Sequence, residues 1–444
     1  MAMGGANLGM ILRRLRAFAR DRRGNVAIIV GLVLVPLIFA AGMGVDYTLA
    51  NRRQDQINGI ADAAALAAVT PNMMSQSSDT AKAAAQAVFL SQIAQVPNIT
   101  YSASNVTITA VDTPTATSVN RVITVAYTAN SINAFAAVLG MPSIAIGGGA
   151  SAKSAVAPRI DFYMLLDTSP SMAIAATQAG INTMVANTSS QSGCAFACHE
   201  TNPASDHLGN PGGEDNYALA RNLGVVLRMD LVAQATQNLM STAQTTAAEN
   251  HTAYRAGIYT MDFNFNQLSG ITSDFSTLQT AAANIQTVEV YNNNCLTPTN
   301  CNNDEDSYLD SGLHSLNTTM PDPGNGTSNA GDTPEEVVFI VSDGVTDEMF
   351  SGSRSIAPIN TKEDWCTTVK NRNIRIAFLY LTYYPLPTNS FYNSNVAPFQ
   401  SQIAVKAQAC ASPGLFFEVS TGGDINAAMT ALFQKAVATA HLTQ

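Results

Sequence analysis

The hydrophobic pattern runs through three rhythms. Val26 to Val45, VAIIVGLVLVPLIFAAGMGV, contains no charged or strongly polar side chain. As a helix rising 1.5 Å per residue it is about 30 Å long, the thickness of a bilayer core. From Asp46 to Val69 the pattern turns amphipathic: Ile57, Ile60, Ala61 and Ala64 form a stripe at helical spacing, while Arg52, Arg53 and Asp55 can face water. A second helix is predicted over Asp79 to Ile93. Alternation at Val106, Ile108 and Ala110, and again from Val122 to Tyr127, predicts two half-buried strands. A short helix near Ile132 to Leu139 and a strand over Ser143 to Val156 complete a small α+β unit that ends at Pro158.

From Arg159 the rhythm becomes strand, loop, helix. Apolar strands are predicted at Ile160–Leu166, Tyr254–Met261, Val337–Val341, Ile374–Leu381 and Leu415–Val419. Helices are predicted at Leu219–Thr246, Glu363–Asn371, Val396–Ala411 and Ile425–Ala440. Short continuous apolar strands alternating with helices imply an α/β fold, a doubly wound and mostly parallel sheet covered on both faces. Ligands of such sheets sit beyond the carboxyl ends of the strands, where the strand order reverses.

Charge adds a direction. Arg13, Arg14, Arg16, Arg20, Arg22 and Arg23 precede the apolar run, and the first charge after it is Asp46. Basic flanks stay in the cytoplasm, so the bulk of the chain is expected outside it. A cleaved signal peptide has the same layout, but this run is longer than a signal core and no A-x-A site closes it. A type IV prepilin leader would need a glutamate where Ile29 stands. The expected organisation is a basic tail (1–24), a membrane span (25–45), a helical stalk with a small α+β domain (46–158) and a larger domain (159–444). The net charge of −10 and the concentration of basic residues at the start exclude nucleic acid as a partner of the folded region.

The chemistry lies at strand ends. DFYMLLD runs into Asp167-Thr168-Ser169-Pro170-Ser171, a carboxylate and two hydroxyls at alternate positions after a buried strand. Hard oxygen donors gathered in a small volume suit Mg²⁺, and also Mn²⁺ or Ca²⁺. VVFIVSDG supplies a second carboxylate, Asp343, from a strand able to lie beside the first. Neither serine has a histidine partner suggested by the sequence, so a Ser-His-Asp hydrolase is not expected.

All six cysteines follow position 190, as Cys194 and Cys198, Cys295 and Cys301, and Cys366 and Cys410. In an exported chain these read as three disulfides. Cys194-Ala-Phe-Ala-Cys198-His199 is also a stretched form of a c-type haem attachment motif, and His199 with His207 offers a zinc alternative. The local disulfide is the preferred expectation.

D-x-S-x-S followed by a distant S-D-G resembles the von Willebrand factor A, or integrin I-domain, family and its metal-ion-dependent adhesion site. The resemblance implies that Asp167, Ser169, Ser171 and Asp343 hold the ion. It also implies a second-loop hydroxyl, for which SYLDSGL offers Ser307, with Asp306 and Thr333 as competitors. An ion held in this way is gripped by an acidic side chain of a protein partner, without enzymatic turnover. The stretch RRGNVAIIVGLVLVPLIFAAGMGVDYTLANRRQDQINGIADAAALAAV further resembles the anchor of TadG-like Flp (tight adherence) pilus-assembly proteins; GCAFACHE and ACASPGLFFEV are also reminiscent of that family. This implies a single-pass inner-membrane protein that meets other pilus-assembly components in the periplasm. The alternative expectation is an envelope scaffold whose metal site is degenerate or serves stability alone.

Overall fold

The computed structural model describes residue 13 and residues 24–438, apart from 116–117, 293–294, 302–304 and 388. The basic flank around Arg14, Arg16, Arg20, Arg22 and Arg23 lies outside the described residues. Two compact units emerge, one of residues 1–70, 79–111 and 122–153, the other of 71–78, 112–121 and 154–444.

In the first unit, α1 (Gly24–Ala67) is one uninterrupted helix that contains both the apolar run and the amphipathic stalk. Ile57, Ile60, Ala61 and Ala64 are buried along one face, as residues spaced three and four apart must be when a helix covers a sheet. Helix α2 (Ser78–Ile93) buries Ala81, Ala85, Phe89 and Ile93 by the same periodicity. Strands β1 (Val106–Pro114) and β3 (Ser143–Val156) both pair with β2 (Val119–Ile132). β2 is buried at every second residue from Val119 to Ser131, the signature of a strand with one wet face.

The second unit is built on β4 (Ile160–Asp167), α3 (Arg228–Glu249), β5 (Tyr254–Met261), β6 (Phe265–Thr272) and α4 (Phe275–Ala283). These are followed by α5 (Leu309–Thr319), β7 (Glu335–Ser342), the hairpin β8 (Val345–Phe350) and β9 (Ser353–Pro358), and α6 (Trp365–Asn371). β10 (Arg375–Leu381), α7 (Gln400–Cys410), β11 (Phe416–Val419) and α8 (Ile425–Ala438) complete it. The sheet order is β11-β10-β7-β4-β5-β6, parallel throughout except that β6 runs antiparallel to β5. Every residue of β4 is buried, because helices cover both faces. Leu313 and Leu316 of α5 and Ile403 of α7 pack on one face; Val232 and Leu239 of α3, Leu278 of α4 and Leu432 of α8 pack on the other. This is the doubly wound α/β architecture expected from the sequence.

Three local departures have clear causes. The helix expected over Leu219–Thr246 is broken: one helix ends at Asn222, Gly224 takes φ +67°, and α3 begins at Arg228. The Asp230 carboxylate accepts the Leu227 N–H at 2.8 Å and so starts the new helix. The antiparallel edge strand β6 is a hairpin return with polar outward positions, which gave no continuous apolar run. The hairpin β8–β9 turns at Ser351-Gly352, both at positive φ, as a two-residue turn matching strand twist requires.

The Asp112–Arg121 pair is a feature of the second unit that sequence periodicity could not reveal. Arg121 is fully buried and pairs with Asp112 at 2.7 Å. It also donates to the carbonyls of Met73 (2.6 Å) and Gln76 (2.8 Å), while Asn329 Nδ2 donates to Asp112 at 3.0 Å.

Candidate metal centre

β4 and β7 are neighbours in parallel register, with Val341 opposite Leu166, so Asp167 and the Ser342-Asp343 pair leave the sheet at the same carboxyl edge. There the backbone reverses. Gly344 takes φ +77°, and its N–H donates to Ser342 Oγ at 2.9 Å. A side chain at this position would be strained and would press on Ile403.

Around this turn the expected oxygens gather. Ser169 donates to Asp167 Oδ1 from its hydroxyl (2.6 Å) and its N–H (3.0 Å). Ser169 and Ser171 hydroxyls lie 3.0 Å apart, and Ser171 also bonds to Asp343. Ser342, absent from the expected ligands, donates its hydroxyl to Asp167 Oδ2 at 2.6 Å. Asp167, Ser169, Ser342 and Asp343 are all buried. Two buried carboxylates in one small volume oppose each other's ionisation. Asp167 is pushed up to about 7, by burial first and by the Asp343 charge second. Burial also raises Asp343, against the pull of Ser171 and Arg228.

Arg228 is the second residue that sequence reasoning missed. It is buried at the start of α3, donating to Thr382 O (2.8 Å) and Thr421 Oγ1 (2.9 Å). Together with Ser171, Phe196, Asp343, Tyr383 and Tyr384 it lines a narrow depression over the site. A buried basic residue at a helix start carries no sequence signal separating it from a surface one.

The second loop is arranged differently from the expectation. Ser307 shares with Ser171 the wall of an adjoining cleft of about 290 Å³. Its hydroxyl is donated to Val345 O at 2.8 Å, because residue 307 pairs with Asp347 of β8. Asp306 lines the same cleft. Thr333 is removed from contention: it precedes the amino end of β7, the opposite edge of the sheet, and donates to Asp322 O at 3.3 Å. At the end of β5, Asp262 accepts from Thr168 Oγ1 at 3.0 Å and so braces the first loop.

The cysteines fall into two kinds. Cys366 and Cys410 form a disulfide joining α6 to α7, and Cys295 is disulfide-bonded; the side chain of Cys301 lies outside the described residues. Cys194 and Cys198 remain free thiols, against the expected local bridge. The intervening chain does not curl back on itself but runs alongside Ile174, which bridges to Phe196, with Ala197 N–H donating to Ala173 O at 2.7 Å. Burial raises both thiols, which disfavours the thiolate that redox or haem chemistry needs. His199 bonds to Asp215 through Nδ1 at 2.9 Å and stacks on Tyr217. Among the described residues no three of His, Cys, Asp and Glu form a metal-holding group, so the zinc alternative through His199 and His207 finds no cluster to rest on.

Residues 24–87 match the model of the putative Flp pilus-assembly TadE/G-like family. The match runs through α1 and into α2. No curated protein matches the chain. Among solved structures the chain is similar to the vWF domain of the type V pili tip protein Mfa5 from Porphyromonas gingivalis, at 10% identity and TM-score 0.38, over 65% of this chain and 98% of that one. It is also similar to the conserved hypothetical protein BatB from Bacteroides thetaiotaomicron, at 10% identity and TM-score 0.32, over 62% and 98%. A third is proximal thread matrix protein 1 from the mussel byssus, solved with a zinc-occupied MIDAS motif, at 9% identity and TM-score 0.34, over 64% and 48%. These likenesses concern fold alone.

The residues fit a divalent ion on their own chemistry. Every donor in the cluster is oxygen, two are carboxylates, and the two carboxylates oppose each other's ionisation, an opposition that a bound cation would relieve. A soft-metal site would bring sulfur or imidazole to the same point.

Proposed function

We propose that this chain is a membrane-anchored, exported, non-enzymatic adhesion or assembly protein of Flp pilus biogenesis. In this reading Asp167, Ser169, Ser171 and Asp343 hold a divalent ion, Mg²⁺ or else Mn²⁺ or Ca²⁺. The ion, when bound, supplies a positive centre for an acidic side chain of a protein partner. Ser307 contributes through the cleft wall, and the apolar side chains beside it would receive what flanks that acid. The span is residues 25–45, with the N-terminus in the cytoplasm and the bulk in the periplasm. The observation that carries the proposal is the pair of buried carboxylates, Asp167 and Asp343, set among serine hydroxyls at the carboxyl edge of a doubly wound sheet. One helix, apolar enough and long enough to cross a membrane, supports the anchor.

A second reading has its own observation. Arg228 already places a positive charge near Asp343, so the site can serve as a structural brace that needs no ion to hold its loops. Calorimetric titration of Mg²⁺ and Mn²⁺ into the full chain in detergent, beside Asp167→Ala and Asp343→Ala, separates the two. One-site binding in the parent that both variants lose supports the adhesion reading. Absence of binding in the parent favours the brace.

A further inference from the structure

Residues 132–142 read INAFAAVLGMP, without one charged side chain. Val138 is 75% exposed, and Phe135, Leu139 and Met141 are each more than 40% exposed. Apolar side chains clustered in this way on the surface mark something that covers them.

Where the segment lies decides what that is. Its contacts descend α1 in order. Arg53 donates to Ser131 Oγ (2.6 Å) and Ile132 O (2.9 Å). Asp46, seven positions earlier on the helix and so about 10 Å nearer the span, accepts the N–H groups of Ala134 (2.8 Å), Phe135 (3.0 Å) and Ala136 (2.7 Å). Gly42 lies inside the apolar run, and a Cβ there would come within 2.6 Å of Phe135. The segment therefore reaches down from the level of a cationic side chain, suited to phosphate headgroups, past the first charge after the span, to the span itself.

Its backbone is also prepared for a dry environment. Besides the three donors taken by Asp46, Asn133 N–H and Nδ2 go to Pro142 O and Met141 O. Val138, Gly140 and Met141 N–H groups go to Phe135, Ala137 and Ala136 carbonyls. Internal satisfaction of this kind is what lipid contact demands of non-helical backbone.

We propose that residues 132–141 form a membrane-interfacial wedge, which inserts Phe135, Val138, Leu139 and Met141 into the lipid boundary beside the anchor. The occupant is the acyl region of the bilayer just below the headgroups, reached by apolar insertion without an anionic requirement. The wedge rests on the anchor reading and is independent of the metal site.

The test uses the full chain in the background Trp365→Phe, reconstituted in phosphatidylcholine–phosphatidylglycerol vesicles with brominated acyl chains, which quench tryptophan on contact. Leu32→Trp reports the span. Leu66→Trp, about 30 Å along α1 beyond Val45, sets the baseline. Val138→Trp, at an exposed position that tolerates the ring, reports the wedge. The expected result is at least about a two-fold loss of emission for Val138→Trp and for Leu32→Trp, with little change for Leu66→Trp. An unquenched Val138→Trp beside a quenched Leu32→Trp overturns the wedge and leaves the anchor standing; a blue-shifted but unquenched Val138→Trp means a protein covers the patch and also overturns it. Failure of Leu32→Trp to quench overturns the anchor, and the wedge with it.

Discussion

Asp167→Asn separates the electrostatic strain of the site from its use. In the metal-free protein Asp167 is fully buried and its acidity is shifted from 3.8 to about 7, which at about 1.36 kcal/mol per unit is about 4 kcal/mol set against the ionised form. Asparagine keeps the shape and removes the charge, leaving Asp343 facing Arg228. It forfeits the acceptor for Ser342, at a cost of about 1–2 kcal/mol. A net gain of about 2–3 kcal/mol is expected at pH 8, or a melting rise of about 4–10 °C for a domain of this size. The sign follows from linkage. A carboxyl whose folded pKa is raised opposes folding fully above that pKa, so the gain shrinks as pH falls through about 7 and vanishes below the unfolded value. Added Mg²⁺ or Mn²⁺ should reverse the ranking. At a hundred times its dissociation constant an ion stabilises the parent by about 2.7 kcal/mol, and the variant should not respond. Calorimetric melting of the full chain in EDTA and in millimolar Mg²⁺ checks both halves. If the variant melts below the parent in EDTA, or responds to the ion as the parent does, the electrostatic account of this site is wrong.

Other expectations concern stability. Arg121→Met leaves Asp112 buried without its partner and should cost about 3–5 kcal/mol, read as a lower urea midpoint, with Asp112→Asn in the same chain restoring part of it. Cys366→Ser opens a bridge between residues 44 apart and should cost up to about 4 kcal/mol; the variant should then lose that share of the parent's loss in reductant, the bridge at Cys295 accounting for the rest. Burial raises Glu200 to about 8, with Asp206 adding to it, and raises Asp310 to about 7. Their folded forms hold protons that the unfolded chain releases, so the urea midpoint in EDTA should fall as pH climbs from about 5 to about 8. Glu200→Gln should flatten that slope.

The parts of this molecule that were legible in the sequence are those whose signal is local. β4 and β7 carry continuous apolar runs because helices cover both sides; β4 ends in an aspartate and β7 is followed at once by another, and the parallel register carries both to one edge. The stripe from Ile57 to Ala64 was legible because helical spacing survives without tertiary context. What escaped depends on partners distant in the chain. Nothing local to Ser307 announces that its hydroxyl donates to Val345 O of β8. Ser342 looks like the end of a strand until Asp167 is placed beside it. Arg228 resembles any helix-starting arginine, and the path of Cys194 to Cys198 is dictated by residues 173 and 174.

Helix α1 runs for 44 residues, about 66 Å at 1.5 Å per residue, with no break where the apolar part gives way to the polar part. Such a rod has no joint at the bilayer surface in which a change of tilt or rotation could be lost. A force applied to the folded first unit is therefore delivered to the lipid-embedded half as torque and tension, and a movement within the membrane returns by the same route. With Asp46 binding the neighbouring segment to the rod at its exit, the junction between the apolar and polar halves is held stiff on its flank as well as along its axis.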